Sequence, residues 1–313
     1  MNIKPVFLKE LKQRIYNAQC IGNVEPIEYM IPYPSMRSLI EGQNIKYGNQ
    51  LIIKSDNITN LKYYQLIQQT AHWLIHKGLM PRDRIVLPKL KHYQSEILLF
   101  SIWQIGATAV LTKEPLSKKY KNRHNIKEIN FENRNILSVI KSFPEFYNPK
   151  HKPLLSDEAL ITFESGSGIQ LSHYNLLINT SGILKLINRT GRLRYSCKID
   201  FYTSGWVILK AILPIYGGYI YDDYNSDLTI AESNADFNIR YDLNKIDKFN
   251  LNDLALCPQN SGIISLGKDP IHLTQFTKTK NKLKIKGHSV MMGYLDQELN
   301  EKSFKSRALF ISI

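Results

Sequence analysis

A short stretch near the middle of the chain gathers residue types that can handle a phosphate. Glu164-Ser165-Gly166-Ser167-Gly168 offers hydroxyls and closely approachable backbone N–H groups, directly after the β-branched and aromatic run Leu160 to Phe163. Beyond it, Ser172-His173-Tyr174-Asn175 reads as a helix start leading into Leu176, Leu177 and Ile178, with Ser172 a favoured N-cap type. Strand, small-residue loop and helix form an arrangement that presents N–H groups to an anion. The same residues also suit a plain tight turn, and His173 suits either an approach to the phosphate or packing in the core.

Other chemistry is sparse. Cys20, Cys197 and Cys257 lie far apart without a CxxC pair, which argues against a disulfide framework or zinc site and fits a reducing cytoplasm. The eight histidines show no HxxxH or HExxH spacing, so no metal site of the protein's own is expected. The N-terminus lacks a signal-peptide core, and the apolar run Ile97–Leu111 is broken by Gln104. That run falls short of the roughly 20 residues a bilayer span needs, so a cytoplasmic location is expected. Lys and Arg number 41 against 27 acids, a formal charge of +14. Such a balance admits peripheral contact with an anionic membrane or acidic substrates. The basic residues are spread among abundant Lys, Asn, Ile and Tyr, which reads as compositional drift, and no specific nucleic-acid partner is expected. The densest basic run, Ser117 to His124, reads as a solvated loop.

The elements that must position the loop are legible around it. Val6 to Asn17 is an amphipathic helix candidate. Leu51-Ile52-Ile53 reads as a strand and Ser55-Asp56-Asn57 as a turn. Tyr63 to His76 has helical apolar spacing, closed by Gly78 and Pro81. Arg84 to Leu87 is a buried strand, Glu96 to Ile105 an apolar helix, and Ala107 to Leu111 the next strand. This alternation predicts an α/β fold with a parallel sheet covered by helices on both faces. Later come a short helix within Asn135–Lys141, a helix over Ser172–Leu186, and an αβ junction at Pro214–Gly218. Strands are expected at 261–266 and 283–286, while residues 222–255 are polar and poorly patterned.

Several of these stretches, in order, resemble the adenylate-forming (AMP-binding) superfamily of acyl-CoA and acyl-carrier-protein synthetases, luciferases and peptide-synthetase adenylation domains. Arg82-Asp83-Arg84-Ile85-Val86 and Ser95–Gly106 resemble its GDRV strand and following helix. Ala159–Phe163 with Ser165-Gly166-Ser167, then Ile169–Leu176, resemble the two ends of the signature LITFTSGSTGxPKGVxLSHxNL. Leu283–Leu295 resembles the late motif LxIKGxxVMxGYL. The resemblance implies a large N-terminal α/β domain over 49–305, an N-terminal extension over 1–48 and a tail over 306–313, without the family's small C-terminal domain. It also implies ATP and Mg²⁺ as cofactors, and a fatty acid with CoA or acyl carrier protein as partners. By the same likeness the nucleotide-binding residues are Ser165, Gly166, Ser167, Gly168, His173, Gly293 and Tyr294.

The departures fall on the chemistry. The family's TGxPK stretch has no counterpart between Ser167 and Gly168, which removes the loop lysine. Where YGxTE is expected the chain reads Leu256-Cys257-Pro258-Gln259-Asn260; the acidic metal ligand is missing, and the nearest acid, Asp253, reads as solvent-facing. The span from His173 to Gly287 is short for the family, which implies a deletion within 222–255. In Asp200–Trp206, Thr203 stands near the family's acyl-pocket His. No catalytic residue is assigned. Two readings stand: an ATP-dependent acyl-activating ligase, fatty-acid-directed and impaired, or a non-catalytic remnant retaining nucleotide or acyl binding.

Overall fold

The computed structural model describes the chain apart from residues 1–4, 23, 28–30, 92, 131–134, 165 and 190, and the side chains of 5–7. Three sheets organise it. The first has six strands in the order Gly293–Tyr294, Ile169–Ser172, Glu158–Thr162, Thr108–Leu111, Arg84–Val86, Ile126–Glu128. Its last four strands run parallel, as the alternating pattern predicts. Ile85, Ala109, Val110, Leu160 and Ile161 are fully buried, as expected of parallel strands covered on both faces.

The helices Asn60–His76 and Gln94–Gln104 pack on one another. Thr59 caps the first through its hydroxyl, which accepts from Lys62 N. The helix His173–Ile187 lies between the hairpin 158–172 and the second-sheet strand Gly262–Leu266. Being covered on both sides, it buries nearly all its residues, polar ones included.

Leu51–Ile53 departs from expectation. It turns back through 55–57 onto Ile58–Thr59 and pairs in parallel with Ile220–Tyr221, so it belongs to the second sheet. That sheet has nine strands. Residues 222–255, patternless in sequence, supply three of them in parallel: Leu228–Ala231, Phe237–Arg240 and Asp253–Cys257. Each is short, and Asp- and Asn-rich turns separate them, which masks the period.

The third sheet is antiparallel, ordered Thr274–Thr279, Lys282–Gly287, Ala308–Ser312, Phe304–Lys305. The helix Pro5–Gln19 packs on it. The basic run at 117–124 is a short helix, Lys118–His124, capped by Ser117 and without a buried residue. Among the described residues no helix is long and apolar enough to cross a membrane.

Candidate functional site

The loop after Thr162 does not lead directly into a helix. It turns back as the strand Ile169–Ser172, antiparallel to Glu158–Thr162. Ile169 and Leu171 are fully buried while Gln170 is half-buried, so the alternation of a strand wins over the small-residue reading. The helix N-terminus therefore lies at the opposite end of this strand from the loop, roughly 13 Å away at strand rise. Ser172 caps it through a reciprocal capping box with Asn175.

This geometry divides the residues picked from sequence. Ser165 lies outside the described residues. Gly166, at φ +80°, closes the turn by donating its N–H to Phe163 O at 2.9 Å. Ser167, Gly168, Gly293 and Tyr294 come together, because Gly293–Tyr294 pairs with Gln170 and Ile169 and Leu295 N donates to Gly168 O at 2.7 Å. The contact is close: a Cβ at Gly168 would stand 2.6 Å from Leu295 Cδ1. Gly293, at φ +138°, leaves room for Asn300, whose side chain accepts from Tyr294 N and donates to Tyr294 O.

His173 stands apart. It is 2% exposed, its ring lies edge-on to Trp103 at 6.0 Å, and burial lowers its pKa to about 4, leaving a neutral imidazole. Its Nδ1 has no hydrogen-bond partner among the described residues, and its surroundings are those of a core side chain.

Ser167 and Tyr294 form one wall of an open cleft of about 1150 Å³. Gln259 stands beside them, and the Tyr294 phenol faces Gln259 and Ser303. The opposite walls come from the helix Gln297–Ser303 and the third sheet, which contribute Lys302, Lys282 and Lys305. Three ammonium groups and no carboxylate line this space, so it favours an anion. Sequence reasoning missed these lysines; they come from separate segments and only the pairing of the third sheet brings them together.

Glu164 was missed as well. Its carboxyl accepts from Ser204 N at 2.8 Å, and burial raises its pKa to about 7. The hydroxyls of Thr162 and Ser204 pull it the other way without reaching full hydrogen-bond geometry; both are buried and otherwise unpartnered. Ser204 opens the helical segment that continues through the π-helix Trp206–Ile212, where Thr203 Oγ1 caps Trp206 N at 3.1 Å. Thr203 is thus a helix cap here.

Asp253 is not solvent-facing. It is 2% exposed, 2.9 Å from Arg240 Nη2, at the end of its strand far from Gln259. No carboxylate lies among the cleft residues, so the residues present do not fit a magnesium ion. Among all described residues, no group of three or more His, Cys, Asp or Glu is arranged to hold a metal. Cys197 and Cys257 are buried, and burial pushes both thiols up to about 12, so they stay protonated.

No family model matches the chain, and no curated protein sequence matches it. Solved structures do match. An anthranilate CoA ligase in complex with anthranoyl-AMP superposes with a TM-score of 0.69 over 90% of this chain and 74% of that one, at 13% identity. The N-terminal subdomain of Klebsiella oxytoca NpsA, in complex with 3-hydroxyanthranilyl-AMSN, gives 0.67 over 90% and 95%, at 13% identity. A long-chain-fatty-acid-CoA ligase from Archaeoglobus fulgidus gives 0.66 over 90% and 82%, at 12% identity. The chain carries the fold of the large N-terminal domain of adenylate-forming, acyl- and aryl-activating ligases.

Proposed function

We propose that the cleft beside Ser167 and Tyr294 holds the phosphate-bearing part of ATP or an acyl-adenylate, and that turnover is impaired. The acyl group in this reading is a fatty acid, drawn from the resemblance of Leu171–Leu176 to the acyl-CoA and acyl-carrier-protein synthetases. CoA or an acyl carrier protein would be the acceptor of any residual transfer.

The observation that carries the reading is the separation of charge from loop. Gly166, Ser167 and Gly168 supply small residues but no cation, while the cations stand across the cleft on Lys282, Lys302 and Lys305. Exposed ammonium groups attract a polyphosphate without fixing it in one geometry. Catalysis needs donors preorganised at the charge that develops, and one lost donor costs about 10²–10³ in kcat. Neither cleft nor loop offers a carboxylate for magnesium, since Glu164 is turned toward Ser204. Binding is thus supported where turnover is not.

ATP–pyrophosphate exchange over a panel of fatty and aryl acids tests the turnover half. The expected result is exchange at blank level, and exchange well above it overturns impairment. A thermal-shift titration with ATP and with a non-hydrolysable acyl-adenylate mimic tests the binding half, because a ligand bound only to the folded form raises Tm. Absence of a shift with both overturns binding.

A further inference from the structure

A second cavity lies away from the lysine cleft and shares no lining residue with it. It is a small pocket where the edge of the second sheet meets the helices Asn60–His76 and Gln94–Gln104 and the π-helix Trp206–Ile212. Its walls are apolar and aromatic, among them Ile53, Tyr63, Ile215 and Tyr221. Two charged side chains reach it, Glu96 and Lys210.

Glu96 is 9% exposed; burial pushes its pKa up, and the donor facing its carboxyl is its own backbone N–H. Lys210 acts on it through space without closing into an ion pair; its ammonium lies over the Tyr221 ring instead, 4.9 Å from the centroid. Asp223 also acts on Glu96, held by the hydroxyl of Ser196 at 2.7 Å. Two carboxylates therefore face one ammonium. A buried carboxyl group whose donor is only its own backbone N–H remains costly to hold as an anion. The unmet need is a hydrogen-bonding cation, and the π-faces beside it also favour one.

We infer that this cavity binds a small organic ammonium with an apolar or aromatic body, its charged head on Glu96 and its body against Ile53, Ile215 and the tyrosine rings. The site does not depend on the nucleotide reading, since its walls and its ligand charge differ from those of the lysine cleft.

Calorimetric titration with 2-phenylethylamine, 2-phenylethanol and phenylacetate tests it. The amine binds and the isosteric alcohol and the anion bind at least tenfold more weakly. Equal affinity for the alcohol, or preference for the anion, overturns the proposal. Glu96→Gln weakens the amine at least tenfold, and unchanged affinity in a folded Glu96→Gln protein overturns it. Lys210→Met, at a half-buried position, removes the competing cation and tightens the amine severalfold; weaker amine binding in that variant overturns the charge assignment.

Discussion

The two ends of the hairpin 158–172 are held in opposite ways. At its helix end the asparagine amides are saturated, although the buried His173 Nδ1 beside them has no partner among the described residues. Asn175 donates to His288 O and Val290 O and accepts from Ser172 N. One helical turn on, Asn179 repeats the device, donating to Asn260 O and Ile263 O and accepting from Ile263 N. At the loop end the reverse holds: Thr162 and Ser204 hydroxyls lack partners and Glu164 is held near neutrality by burial. Both ends match stretches that resemble the adenylate-forming signature, yet only the helix end is closed upon itself. The asparagine amides tie three segments together at one end, whereas the loop end leaves two buried hydroxyls and a carboxyl without complete hydrogen bonding.

The largest expected effect comes from breaking the saturated end. Asn175→Ala strips two buried carbonyls and one N–H of their partners, at about 1–3 kcal/mol each. Urea denaturation should show at least about 3 kcal/mol lost by that reckoning; a loss under about 1 kcal/mol would mean that water replaces the asparagine.

Glu164→Gln probes the loop end. Glu164 has a folded pKa of about 7 against an ordinary 4.5, so the folded chain retains a proton that the unfolded chain gives up. The stability tied to that proton is undiminished below the unfolded value, declines as pH rises from there, and levels off above about 7. The decline is on the order of 3 kcal/mol. Unfolding free energies at acidic and alkaline pH should differ by that much more in the parent protein than in Glu164→Gln, and parallel pH profiles would refute the shift.

Gly168→Ala is expected to cost about 1–3 kcal/mol, because Leu295 and the Phe163 ring must both give way to the added methyl. A double-mutant cycle with Leu295→Ala should recover most of that cost, and strict additivity would show that the strain lies elsewhere. The smallest effect belongs to the cleft lysines. Each of Lys282→Ala, Lys302→Ala and Lys305→Ala should weaken ATP by only about threefold, as exposed charges do, and all three together should abolish the thermal shift. Full retention by the triple variant would remove these residues from the binding site.

Much of the frame was legible because its signals are local. Thr59 and Ser172 cap helices whose apolar faces repeat at helical spacing, and the parallel strands of the first sheet read as short apolar runs. The hairpin return was harder, since Ile169–Ser172 is only 4 residues long and runs straight into a helix. Glu164 was invisible because its environment comes from Ser204 and Asp200, well downstream. Asp253 looked solvent-facing until Arg240, on the adjacent strand, was placed beside it. Pairings between distant segments decide such residues, and no local pattern encodes them.

The third sheet has one more consequence. Ala308–Ser312 is an inner strand, and Arg14 of the first helix donates to Phe304 O, 290 residues away. During synthesis the helix Pro5–Gln19 lacks the sheet it packs on until residues 282–312 have left the ribosome. Closure over that separation is entropically costly and slow. The first helix is therefore among the last pieces to settle, and a nascent chain halted before residue 300 should leave it open to protease.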